Sequence, residues 1–198
     1  MQIRNIPHMQ ARARAAYVPQ ARRNALFDLE HEEDLLLQIN MYGKPCARWR
    51  QSRTGYTLLH AAISNGWPIV CRRLIADFGA DINASDNVFQ RRCIHWAVTC
   101  AWPRLDIVQM LHEAGANLND VSLSSKRTSL MYLLKKRPLT HEDIEIIRWM
   151  LTQESVDLAG PWDKPGETVL DIARLEEQCR YYGVDTLILV EIHRRANL

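Results

Sequence analysis

Apolar residues in this chain cluster as paired short helical stretches, each pair closed by a glycine turn. In the stretch that opens at Pro68, Val70, Leu74 and Ile75 are spaced to cover one face of a helix. Before it, Thr57-Leu58-Leu59-His60-Ala61-Ala62 begins with a hydroxyl that can cap a helix N-terminus. The small Ala61 and Ala62 let a neighbouring helix approach closely. Gly66 supplies a left-handed C-cap between the two stretches, and Pro68 suits the first turn of the second. Gly79 ends that second helix in the same way.

The arrangement recurs. GYTLLHAA at 55–62 returns as QRRCIHWA at 90–97, and Gly79-Ala80-Asp81 returns as Gly115-Ala116-Asn117. A unit of about 35 residues built as turn, helix, tight turn, helix and Gly-Ala-Asp turn resembles the ankyrin repeat, whose T-P-L-H-x-A signature Thr57–Ala62 matches with Leu58 in place of Pro. The resemblance implies an all-α solenoid of stacked helix-turn-helix units with short hairpin-like connections.

The phase persists as the motif decays. Thr128-Ser129-Leu130-Met131 carries Met131 in the His position, and Thr168-Val169-Leu170-Asp171 carries Asp171 there. Upstream, Glu33–Asn40 followed by Met41-Tyr42-Gly43 resembles the back half of an incomplete unit. The expected organisation is a basic, flexible arm over 1–24 and a repeat domain over 25–198. Within that domain a divergent unit spans 25–53, and repeats follow at about 54–86, 87–121, 122–160 and 161–198. Helices are expected near 57–65, 68–77, 92–100, 104–113, 128–135, 142–152, 168–178 and 185–195.

At 198 residues and 47% apolar content, the chain can bury a core between stacked units. No run of 18 apolar residues suggests a membrane span, and no apolar N-terminal segment suits secretion. Cys46, Cys71, Cys93, Cys100 and Cys179 are odd in number and lack metal-ligand spacing, so reduced thiols, no metal and a cytoplasmic or nuclear location are expected. Residues 1–27 hold Arg4, Arg12, Arg14, Arg22 and Arg23 without an acidic residue. A disordered arm, a nuclear-import or nucleic-acid contact and a mitochondrial-type presequence are all compatible with that composition.

No catalytic constellation or phosphate loop stands at readable spacing. His141-Glu142-Asp143 after Thr140 reads as a capped first helical turn. The resemblance makes His60 and His95 structural ties between neighbouring turns, alongside the turn glycines Gly79 and Gly115. It also places the binding surface on the concave side, at hairpin tips and exposed positions of the first helices. Trp49, Arg53, Tyr56, Phe89, Arg91, Arg127, Lys135 and Lys136 map there, and every charge among them is positive although the whole chain is only +2. The implied protein is a non-enzymatic interaction module for a protein partner with an acidic surface or peptide. It needs no cofactor, small-molecule substrate or membrane. An adaptor that brings a substrate to other machinery is the alternative, and a nucleic-acid-associated regulator is a more distant one.

Overall fold

The computed structural model describes residues 18–158 and 168–196. Two layers of short antiparallel helices are stacked along the chain. The inner layer holds α3 (Leu58–Ser64), α5 (Cys93–Thr99), α7 (Ser129–Leu134) and α9 (Val169–Leu175). The outer layer holds α2 (Glu32–Tyr42), α4 (Pro68–Arg72), α6 (Leu105–Glu113), α8 (His141–Thr152) and α11 (Val184–Ala196). Each inner helix packs on the next inner helix and on the outer helix of its own unit. The described residues contain no extended sheet, only isolated antiparallel bridges at Arg50–Thr57 and Ser85–Arg92.

Threonines start the helices as their position demands. Thr57, Thr128, Thr140 and Thr168 each accept the backbone N–H three residues on, at 3.2–3.4 Å. The side chain at that third position answers by accepting the cap residue's N–H: His60 Nδ1 at 3.2 Å, Asp143 at 2.8 Å and Asp171 at 3.0 Å. Asp171 therefore replaces the repeat histidine in the local cap, whereas Met131 leaves that half of the motif unmade. At the other end, Gly79 (φ 65°) and Gly115 (φ 98°) adopt the left-handed geometry expected of them. Ala116 N–H reaches back to the Leu111 carbonyl, five residues away, as in a Schellman cap. The first unit differs: α4 runs into a π turn at Arg73–Asp77, and Ala80 N–H reaches six residues back to Leu74.

The core runs without a break through the stack. Leu58, Leu59 and Ile63 of α3, Ile94 and Val98 of α5, and Leu130 and Leu133 of α7 are all essentially inaccessible and belong to one apolar cluster with Leu74, Leu111 and Ile147 of the outer layer. Burial of each such side chain stabilises the array by about 1.5–3 kcal/mol.

Both ends depart from expectation. Residues 1–17 of the basic arm lie outside the described residues, but 18–24 are not a loose tail. Pro19 leads into α1 (Gln20–Ala25), Val18 and Leu26 are buried in the common core, and Gln20 donates to the Arg50 carbonyl. Apolar residues on both sides of Pro19 hold this segment on the first unit. In the last unit α9 stops at Leu175, and a separate short α10 (Glu177–Tyr181) precedes α11.

Arg195 locks α11 onto the preceding unit. Held by Glu191, its guanidinium donates to the carbonyls of Leu151 (3.2 Å), Gln153 (2.9 Å), Glu154 and Val156 at the end of α8. Arg195→Ala leaves those acceptors without their charged donor and is expected to lower stability by about 1.5–3 kcal/mol. In hydrogen exchange, protection should fall across 184–196 before it falls across α3; an equal fall in both segments, or none, would contradict the lock.

Candidate interaction surface

Three hairpin tips stand side by side because their closing hydrogen bonds repeat in phase. Gln51 N–H donates to Tyr56 O at 2.8 Å, Asp86 N–H to Arg91 O at 3.1 Å, and Ser122 N–H to Arg127 O at 3.0 Å. Further bonds tie each tip to the next: Asn87 N–H to Thr54 O at 2.7 Å, Leu123 N–H to Gln90 O at 3.4 Å, and Arg50 Nη1 to Ser85 O at 2.9 Å. The penultimate tip position is left-handed in all three, occupied by Gly55 (φ 70°), Gln90 (φ 50°) and Lys126 (φ 56°). Glycine adopts that region freely, but a side chain is disfavoured there.

Asp86 organises the middle tip. Its buried carboxylate accepts the N–H groups of Val88 (2.8 Å), Phe89 (2.5 Å) and Arg91 (3.0 Å), and the Trp96 indole N–H at 3.0 Å. Burial alone would raise its pKa, but these donors hold it below the ordinary carboxylate value. Arg91 then packs against two rings, 4.8 Å from the centroid of Phe89 and 4.5 Å from that of Tyr132, with Nε donating to the Tyr132 hydroxyl at 3.1 Å. Tyr132 belongs to α7, so this contact joins the middle tip to the inner-helix layer.

The two repeat histidines are buried and tie neighbouring units. His95 Nδ1 accepts Arg92 N–H at 3.1 Å, and Nε2 faces Asp120 O of the next turn at 2.8 Å. His60 makes the same local bond to Thr57, but its Nε2 lies 3.8 Å from Cys93 Sγ. That Cys–His contact has the outline of a nucleophile and base, yet burial works against both charged forms. It pushes the Cys93 thiol far up and takes His60 down to about 4. All five cysteines are free and buried. No group of three or more His, Cys, Asp or Glu side chains among the described residues could hold a metal.

The residues expected on the face divide. Arg53 is exposed, Phe89 is 43% exposed, and Tyr56, Arg91, Arg127 and Lys135 are half-buried. Tyr56 stacks on His60 and meets the edge of Trp96. Two assignments are corrected. Trp49 is 7% exposed and packs into the core against Tyr42, with Arg23 over its ring, because the extended backbone after Arg48 turns the indole inward. Lys136 forms a 2.8 Å ion pair with the fully buried Asp143, so its charge is neutralised inside the array. Sequence reasoning missed Asp86, Trp96 and Tyr132. Ser85-Asp86-Asn87 carried a turn-forming signal, but the convergence of the three side chains depends on stacking. Exposed Leu123 and Lys126 also join the tips.

Residues 29–122 match the family model for ankyrin repeats, in three copies. The chain is an ankyrin-repeat protein, and its stacked helices continue the array beyond the matched segment. Ankyrin repeats generally mediate protein–protein interaction and are typically non-enzymatic. Comparison with curated proteins gave no match.

Two tests follow from the geometry. Replacing Gln90 by Gly relieves the left-handed strain and is expected to stabilise the chain by about 0.5–1 kcal/mol in urea denaturation; destabilisation would show that the Gln90 side chain contributes more than its backbone strain removes. His60 binds its proton at about 4 when folded and near 6.5 when unfolded. Its stabilising contribution is therefore complete above about pH 6.5 and is lost as pH falls from there toward 4, by on the order of 2–3 kcal/mol. Asp86, with its folded pKa lowered, adds a further loss only as pH falls below the ordinary carboxylate value. Denaturation at pH 7 and pH 4.5 should show a smaller drop in His60→Asn than in the parent, and equal drops would assign the acid sensitivity elsewhere.

Proposed function

We propose that the chain is a non-enzymatic docking module that receives an acidic protein segment on the surface formed by its hairpin tips and inner helices. The observation that carries this reading is the charge balance of the tips. Residues 50–57, 85–92 and 120–128 hold six cations (Arg50, Arg53, Arg91, Arg92, Lys126 and Arg127) and two carboxylates, Asp86 and Asp120. Asp86 is enclosed by N–H donors, and Asp120 is ion-paired with Arg92. The surface left to a partner is therefore basic on a chain whose overall charge is only +2.

Charge of this kind steers association and selects partners of opposite sign, while aromatic and arginine anchors supply most of the affinity. The absence of helices long and apolar enough to cross a membrane among the described residues is compatible with this role. The free, buried thiols favour a cytoplasmic or nuclear setting.

The test reverses two exposed tip charges, Arg53→Glu together with Lys126→Glu, both of which leave the core untouched. Proteins captured by the parent chain are identified, and their binding is titrated at low and high salt. The double variant should bind at least about tenfold more weakly and lose most of the salt dependence, a change of about 1.4 kcal/mol or more. Equal affinity and equal salt response in a folded variant would refute the acidic-partner reading.

A further inference from the structure

Among the cations of this face, Arg91 differs in what surrounds it. Arg92 is paired with Asp120, and Lys136 with Asp143. Arg50 Nη1 donates to the carbonyls of Gly55 and Ser85. Arg127 and Lys135 have partners of their own. Arg53 and Lys126 are exposed at the tips. Arg91 is half-buried and packed against two aromatic rings, with no carboxylate in ion-pair contact among the described residues. The nearby acid, Asp86, has both oxygens engaged: Oδ1 by Val88 and Phe89 N–H, Oδ2 by Arg91 N–H and the Trp96 indole. Of the guanidinium donors, Nε is fixed by the Tyr132 hydroxyl and Nη1 has one long contact, 3.5 Å, to Thr99. Nη2 has no hydrogen-bond acceptor among the described residues.

We infer that Arg91 is the anchor for one carboxylate of the partner, an Asp or Glu set beside an aliphatic side chain that packs on Phe89 and Leu123. The inference rests on the reading of this face as a dock for an acidic segment and names the group that is recognised. The physical argument is preorganisation. A guanidinium packed against two rings and held through Nε by a hydroxyl has little rotamer freedom to lose, and its open edge matches the two oxygens of a carboxylate. Leu123 is 60% exposed, and its N–H bonds Gln90 O, which places it against the Phe89 turn and gives the aliphatic neighbour a surface. One open guanidinium edge suits a carboxylate, whereas recognition of a phosphorylated residue draws on several arginines at once, and Arg50 and Arg92 are engaged within the tips.

Selection of a random-peptide library on the full chain should enrich Asp or Glu at one fixed position next to Leu, Ile or Val. The resulting consensus peptide should bind the parent about tenfold or more tighter than it binds Arg91→Lys, which keeps the charge and loses the planar fork. Changing the acidic residue of the peptide to its amide should weaken binding to the parent but not weaken it further in Arg91→Gln, the signature of a coupled pair. In the parent chain itself, the Arg91 Nε–H resonance should shift on titration with the consensus peptide and not with the amide analogue, which keeps the test independent of how the variants fold. Acidic peptides that bind Arg91→Gln undiminished, or that leave the Arg91 resonance unmoved, would overturn the anchor while leaving the basic dock in place. Failure to select acidic peptides, or indifference of those selected to the Arg53→Glu and Lys126→Glu pair, would remove the anchor together with the reading beneath it.

Discussion

Each inner helix is only six or seven residues long, and isolated helices of that length do not persist in water. They stay helical because apolar neighbours cover them, the adjacent inner helices of the stack and the outer helix of the same unit. Stability in such an array resides in the interfaces between units rather than in any unit alone. That constraint explains the alanines at 61, 62 and 97, which bring successive helices together. It also explains why the ends carry special devices: Val18 and Leu26 at one end, and the Arg195 lock near the other, attach terminal helices that have fewer neighbours.

The third position of the inner helix shows how one site can serve two purposes. Histidine closes the cap with Nδ1 and directs Nε2 toward the next unit, as His95 does to Asp120 O. Aspartate at 171 closes the cap but has no donor to send onward, and Met131 contributes only apolar volume. The decay of the motif along the chain thus shifts cohesion from polar ties toward packing and, at the end, toward the guanidinium of Arg195.

The hairpin tips use polar groups differently. Asp86 and Asp120 are consumed in holding the tips together, one on N–H donors and one on Arg92, and the arginines they leave behind define the outer charge. A protein of nearly balanced composition acquires a basic face because its local acids face inward. The left-handed Gln90 and Lys126 are strained positions on the same face, where a side chain has been kept in a site that suits glycine.

The repeat period, the paired helices and the cap residues were legible because each depends on local chemistry: Thr57 and Thr128 cap helices wherever the chain turns in, and Gly79 and Gly115 end them through a backbone geometry other residues resist. The core was legible for a related reason, since apolar periodicity survives even where Met131 or Asp171 replaces histidine. What the chain could not show by itself was the fate of each charge and ring at the surface. Trp49 and Arg91 look alike in sequence, both near hairpin ends and among basic residues, yet one is buried against Tyr42 and the other is hydrogen-bonded to Tyr132 of α7. Lys135 and Lys136 are adjacent, but only Lys136 meets buried Asp143, seven residues away across a turn. Those outcomes depend on which residues of different units come within a few ångströms of each other. Only the stacked tertiary structure decides that, because the Coulomb and aromatic contacts that settle a side chain act across space rather than along the chain.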